Sequence, residues 1–336
     1  MKKIDYKVDV FTGIRPTQGL TIANVIGSVH TIVTLQKEKE AGRPMVFVAD
    51  LHSLTDGTPQ DTQKHVLDIV KDYIALGLDP KECDIFVQSQ LIEEIAELNI
   101  YLSRLVTISE LLRVPTLKDK IKKDMDVSNA SVLLAMYPIM MASDILLQKS
   151  KYVPVGDDQV AHVEIARDLA RKFNKVFGET IPVPNVLSLG KPARIKSLSG
   201  GGKMSKSNPT GAIVLDDDIS ISLSKVKKAQ TAFAGEMTDS LDSLLKIGKF
   251  VSTEQEIAHI DAIMIKHMNG ENVMGELKGV INVALERYLR EFQAKKSKIS
   301  DLEIEEVIKK GGEVAKRNAK ETIQEVRKAM ELKYIS

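Results

Sequence analysis

Three short apolar runs near the start of the chain constrain its fold more than any other feature. "DVFTG" begins at Asp9, "MVFVAD" at Met45 and "DIFVQS" at Asp84, and each ends at a glycine or polar residue. Between the first two, Ile22, Val25, Ile26, Val29, Ile32 and Val33 recur at helical spacing up to Gly42 and Pro44. Between the next two, Val66, Ile69, Val70, Tyr73 and Ile74 share one helical side before Gly77. Alternating strands and helices of this kind predict an α/β fold, a doubly wound parallel sheet with its ligand site at the carboxyl ends of the strands. Gly13, Asp50, His52 and Ser89 fall at or just past such ends.

The rest of the chain changes character. "ASVLLAMYPIMMASDILLQ" (130–148) reads as a buried helix, "KYVPV" (151–155) as a further strand and "DQVAHVEIARDLARKF" (158–173) as an amphipathic helix. Beyond Asp218 the pattern is helical almost to the end, with Lys and Glu alternating around apolar stripes. The spacing therefore predicts two domains, residues 1–215 with the sheet and 216–336 all helical. Length supports two domains, since 336 residues exceed the usual size of one.

Composition narrows the function class. The formal net charge is only +1, so any nucleic-acid partner would have to meet a local basic surface. The single Cys83 excludes a disulfide framework or a Cys-rich metal site within one chain. The start "MKKIDYKVDVF" lacks the apolar core of a signal peptide, and no apolar run reaches membrane-spanning length. A cytoplasmic protein with no membrane partner and no bound metal cluster is expected.

Between the two parts lies "SGGGKMSKSNPTG" (199–211), in which nothing is suited to a core. Glycines ahead of Lys203 suggest a phosphate site, because glycine lets backbone N–H groups approach an anion. It is not a P-loop: Met204 follows the lysine where Ser or Thr is needed, and Ser197 stands where the first glycine should be. Other segments also point to a ligand. "PTQGLTIAN" (16–24) joins the first strand to the first helix, where free N–H groups and the helix dipole favour an anion. Thr21 could equally do no more than cap that helix. Tyr137, Met141 and Asp144 share one helical face, and an aspartate on an apolar stripe needs a partner, a structural Arg or a ligand donor. Gly156, at a strand-to-helix turn before "DDQ", permits close approach of a ligand.

The loop around "KMSKS" (203–207) resembles the signature loop of class I aminoacyl-tRNA synthetases, and "TIAN" (21–24) stands where that family has its HIGH-type motif. "FTGIRPT", "VADLHSLT", "YPIMMASDILL", "VPVGDDQVAHVEIARDLARKFN" and the tail "GGEVAKRNAKETIQEVRKAM" are similar to the bacterial tryptophanyl-tRNA synthetases, so the resemblance spans nearly the whole chain. It implies a Rossmann-like catalytic domain with an α-helical C-terminal domain, and a homodimer. It implies activation of L-tryptophan by ATP, with Mg2+ on the departing phosphates, and transfer to tRNA.

Carried over residue by residue, the resemblance sets Arg15, Thr21, Ala23 and Asn24 against ATP, with Gly156, Asp158 and Gln159 facing adenosine and the amino acid. Lys203, Met204, Ser205 and Lys206 would close over the phosphates, and Lys120 of "KDK" would be a further phosphate ligand. The mobile loop is expected to be glycine-hinged, with no apolar residue fixing it. Phe11, Gly13, Arg15, His52, Tyr137, Met141, Asp144, Ile145, Val153, Val155 and Gln159 would surround tryptophan. His52 could instead be a satisfied core histidine. The helical part would read the tRNA anticodon, although Lys295, Lys296, Lys298, Lys316, Arg317 and Lys320 could simply lie on solvated faces. Three positions depart from the family pattern: Ala23 replaces a glycine, Arg15 stands where many members have glutamine, and the glycine triplet is unusual. Tyrosine specificity and a non-catalytic paralogue are the alternatives.

Overall fold

The computed structural model describes residues 4–37, 42–55, 58–114, 117, 130–156, 160–188, 195–206 and 208–332. Its parallel sheet has the strands β1 (Val8–Ile14), β2 (Pro44–Val48), β3 (Asp84–Val87), β4 (Ser150–Val155) and β5 (Asn185–Ser188), in the order β3-β2-β1-β4-β5. β2 is buried along its whole length, as a strand covered on both faces must be. The chain order reverses between β1 and β4, so the carboxyl ends of these two flank the crevice where such sheets bind ligands. The sequence pattern did not anticipate β5, which is only four residues long.

The first helical stretch is not one regular helix. α1 (Ile22–Asn24) runs into a π-helical turn, Val25–Val29, and then α2 (His30–Lys37). Such π turns are frequent at functional sites. α3 (Asp50–Ser53) and α4 (Pro59–Ala75) follow β2, the latter capped by Thr58 with Pro59 in its first turn. α5 (Ile92–Ser103), α6 (Ile108–Leu111), α7 (Val132–Leu147) and α8 (Val160–Phe177) complete the first part.

Alternation along the strands feeds two apolar cores. Phe11, Met45, Phe47 and Phe86 face one side, packed with residues of α5, α7 and α8, while Val46, Val48, Ile85 and Val87 face the other. From Ile219 onward the regular elements among the described residues are all helices: α9 (Ile219–Lys227), α10 (Asp239–Val251), α11 (Glu254–Met268), α12 (Met274–Lys296) and α13 (Asp301–Ala329). α13 returns to the sheet and covers its edge strand. A Cβ on Gly311 would stand 2.0 Å from the Ile85 carbonyl oxygen, so only glycine lets the helix backbone lie this close to β3. Residue 216 thus separates mixed from helical sequence, while the apolar core runs on from Val46 to Leu289.

Candidate active site

The site lies beyond the carboxyl ends of β1, β2 and β3. α7 presents Tyr137, Met141 and Asp144 from one face, with Asp144 and Tyr137 buried and Met141 half-buried. Asp144 has no arginine among its described partners. His52 Nε2, from α3, lies 3.0 Å from Oδ2, and Gln88 Nε2, just past β3, donates to Oδ1 at 3.0 Å and Oδ2 at 2.8 Å. A carboxylate accepts only, so His52 carries its proton on Nε2. Burial pushes the Asp144 carboxyl above the usual range, and the His52 and Gln88 hydrogen bonds oppose that. Tyr137 stands edge-on to His52, its hydroxyl 3.1 Å from His162 Nε2. Phe11, Tyr137, Ile145 and Val153 belong to one apolar cluster, against which Met141 and Val155 pack. Gly13 leaves room for the Phe47 ring, which a Cβ there would meet at 2.6 Å.

A second polar locus lies where the first helix begins. Thr21 accepts from the Asn24 backbone N–H at 3.3 Å and donates through Oγ1 to Asn24 Oδ1 at 2.7 Å. The same Oδ1 receives the Thr21 N–H at 3.0 Å, a reciprocal capping box. Backbone bonds from Ile22 N to Ile213 O and from Leu215 N to Leu20 O, each 2.9 Å, pair this turn with the segment after the lysine loop. The loop itself begins as a hairpin. Met204 N bonds Ile195 O, Ser197 N bonds Gly202 O, and Gly200 and Gly201 take the positive φ that its turn requires.

Two findings bear on this loop's expected freedom. Met204 is 3% exposed and packs in an apolar cluster with Ile195, Leu198, Ala212 and Ile213. The expectation that no apolar residue fixes the loop is therefore corrected: the Met204 side chain anchors it, leaving Lys203 exposed and Ser205 and Lys206 half-buried. The Lys206 ammonium donates to the backbone oxygens of Gln18 and Gly19, directly ahead of Thr21. Burial lowers its pKa, against the field of Asp72 and Asp216. Beneath it, Lys296 of α12 bridges Asp72 at 2.5 Å and Asp216 at 2.8 Å. Asp72 is fully buried on α4, and desolvation pushes its carboxyl up to about 6 although Lys296 opposes the shift.

The structure brings His52, Tyr137, Met141, Asp144, Ile145, Phe11, Val153 and Val155 around one apolar cluster, and Thr21, Asn24 and Lys206 around one turn. Gly156 follows β4, Arg15 follows β1 and is exposed, and Ala23 is half-buried in α1. Lys120, Asp158 and Gln159 lie outside the described residues. Gln88 and His162 were not singled out from the sequence. The signal for Gln88 was an amide directly after an apolar strand, at the position where ligand sites form.

Comparison with known proteins agrees with this geometry. Residues 2–328 match the family described as tRNA synthetases class I (W and Y). The chain is 35% identical to the tryptophan–tRNA ligase of Caldanaerobacter subterraneus subsp. tengcongensis, covering 96% of this chain and 98% of that one. It is 38% identical over 263 residues to the tryptophan–tRNA ligase of Rickettsia bellii, 74% of this chain and 77% of the relative. The crystal structure of tryptophanyl-tRNA synthetase from Campylobacter jejuni, complexed with ADP and tryptophan, superposes with a TM-score of 0.81 at 27% identity, over 96% of this chain and 99% of that one. With the lysine loop paired to the first helical turn at the sheet's carboxyl edge, the chain belongs to the class I tRNA synthetases of the tryptophan and tyrosine branch.

Proposed function

We infer that this chain joins L-tryptophan to its tRNA in two steps: formation of tryptophanyl-adenylate from ATP, then transfer to the terminal ribose hydroxyl of the tRNA. The observation that carries the reading is the seating of Lys206 on the carbonyls of Gln18 and Gly19, beside the Thr21–Asn24 turn. The N–H groups of Thr21, Ile22 and Asn24 are themselves paired, so it is the ammonium beside this turn that supplies a partner for phosphate. In the first step the tryptophan carboxylate attacks the α-phosphorus, the bond to the bridging oxygen breaks and pyrophosphate leaves. No general base is needed, because a carboxylate is ionised at neutral pH. Lys203 and Lys206 stabilise the charge that builds on the departing phosphates. Thr21, Ala23 and Asn24 face the nucleotide, and Asp144 accepts the indole N–H inside the apolar cluster.

Mg2+ fits as an ion carried on the phosphates, because Lys203, Ser205 and Lys206 complement anions and not a metal. Bound there, it would neutralise charge on the leaving group. The helical part, residues 216–336, is assigned to the tRNA anticodon, and the reaction to the cytoplasm. Among the described residues no helix is long and apolar enough to cross a membrane. A homodimer is supported by Ile100, Ile108 and Val132, which are 68%, 77% and 73% exposed on the neighbouring helices α5, α6 and α7.

Amino-acid-dependent exchange of pyrophosphate into ATP tests the assignment. Exchange is expected with tryptophan, with tyrosine and phenylalanine slower by orders of magnitude. Preference for tyrosine would move the specificity within the family, and no exchange by folded protein would make the chain a non-catalytic relative.

A further inference from the structure

Gln88 is fully buried in the short 3-10 turn Gln88–Leu91 that follows β3. Its amide makes hydrogen bonds at both ends. The His52 backbone N–H donates to Oε1 at 3.3 Å, while Nε2 donates to Asp144 Oδ1 at 3.0 Å and Oδ2 at 2.8 Å. A backbone N–H can only donate, so it fixes which end of the amide is oxygen and turns the amino end to the carboxylate. Oδ2 also receives His52 Nε2 at 3.0 Å. Oδ2 therefore has two donors and Oδ1 has one, and each carboxylate oxygen has about two acceptor sites.

The surrounding backbone is tied as tightly. Asp50 Oδ1 accepts the N–H groups of Leu51 and Ser89, each at 3.0 Å, joining the start of α3 to the residue after Gln88. The clamp thus fixes the Gln88 backbone relative to α3, which carries the His52 end of the bridge.

We propose that Gln88 is a positioning residue for tryptophan recognition: it holds Asp144 so that Oδ2 is saturated and Oδ1 keeps one acceptor site for the indole N–H. The proposal rests on the reading that Asp144 meets the indole. Without Gln88, the forked N–H bond that spans both oxygens of a buried carboxylate vanishes and His52 alone is left, so taking up a proton becomes its cheapest adjustment. A protonated Asp144 is a poor acceptor at the oxygen that carries the proton. The charged or titratable groups that face it are His52 and Asp50 from α3, with Tyr137 of α7 and His162 of α8 beyond them.

Two substitutions give opposite signatures in tryptophan-dependent pyrophosphate exchange. Gln88→Met keeps the length and removes every hydrogen bond. Its KM for tryptophan should rise about 10-fold or more, as for loss of a hydrogen bond to a charged group, most at the acid end of the pH range and less towards the alkaline end as Asp144 ionises. Gln88→Glu places a second carboxyl against Asp144, and the pair must share a proton. Its KM should therefore worsen as pH rises and that proton leaves. kcat should stay within about threefold of wild type in both, because only binding before the chemical step is disturbed. A side chain that merely fills space would give both variants the same pH profile as wild type. That result, or slopes of the same sign in the two variants, overturns the proposal. The Asp144 reading is checked separately with an analogue bearing sulfur in place of the indole N–H. If Asp144→Ala loses discrimination against it while Gln88→Met keeps all of it, only the Gln88 role fails. If Asp144→Ala keeps full discrimination, the parent reading fails with it.

Discussion

Two buried aspartates handle their charge in opposite ways. Asp144 sits at 5% exposure among directed donors, Gln88 from the turn after β3 and His52 from α3. Asp72 is at 0% exposure, and its described partner is an ammonium, Lys296, which also holds Asp216. Dipoles arranged around a carboxylate fix the direction in which it can accept one more bond, which suits recognition of a ligand atom. A charge pair has little direction and holds elements together, here α4, α12 and the segment that follows the lysine loop. The field of Asp72 and Asp216 also reaches Lys206 and favours its charged form against burial. In the proposed reading the first network selects, and the second keeps a cation charged.

The largest effect expected follows from the second network's client. Lys206→Ala should lower kcat for tryptophan activation by about 10²–10³, the loss typical of removing a donor to developing negative charge. KM for tryptophan should barely change, since the pocket proposed for the amino acid is built from other elements. A large rise in that KM with normal kcat would tie Lys206 to the ground state and erase the division between the two loci. Pre-steady-state measurement of adenylate formation would separate chemistry from release.

Much of this was legible from the residues. Strand–helix alternation pointed to β1 to β4 and their parallel order, because apolar periodicity records burial directly. β5 was missed because "NVLS" is too short to show a period, and the π turn at Val25–Val29 leaves the apolar spacing of a helix almost unchanged. The shared face of Tyr137, Met141 and Asp144 was visible from helical spacing. Its partners were not, since Gln88 and His52 approach from a turn and a helix 56 and 92 residues away in sequence. Polar composition suggested a loop free of apolar anchors, and a single methionine in it proved enough to fasten it to the core. The return of α13 to β3 was equally hidden, because glycines at 311 and 312 read locally as helix weakeners and not as contact points.

The charge-paired aspartate gives a stability prediction with a definite sign. Its carboxyl is pushed up to about 6 from an ordinary 3.8, with burial the largest cause. Below about pH 4 it is protonated in both folded and unfolded chains. Between pH 4 and 6 the unfolded chain ionises first, so the folded state loses stability as pH rises, and above 6 the loss is complete. A shift of about two units corresponds to roughly 3 kcal/mol. Asp72→Asn cannot titrate, so urea melts at several pH values should show wild type falling behind the variant across this window and running parallel above it. Wild type gaining on the variant would mean that Lys296 more than offsets burial, and the contrast with Asp144 would weaken.

The directed network predicts a smaller effect, confined to substrate choice. A hydrogen bond to a charged acceptor is worth about 1.5–3 kcal/mol, so Asp144→Ala should cost roughly 10- to 150-fold in kcat/KM for tryptophan. Truncation alone is ambiguous: it leaves a cavity and strands the donors of Gln88 and His52, both aimed at the missing carboxylate. The sulfur analogue of the indole separates these contributions, because it keeps the ring's shape and lacks only the donor. Wild-type protein should reject it strongly, since binding it would leave Oδ1 of a buried carboxylate short of a partner. The variant has no carboxylate to strand and should treat the two amino acids nearly alike. Its remaining loss towards both then measures the cavity and the stranded donors. Equal discrimination in wild type and variant would reduce Asp144 to a structural partner of His52 and Gln88, leaving the indole to be chosen by the apolar cluster alone.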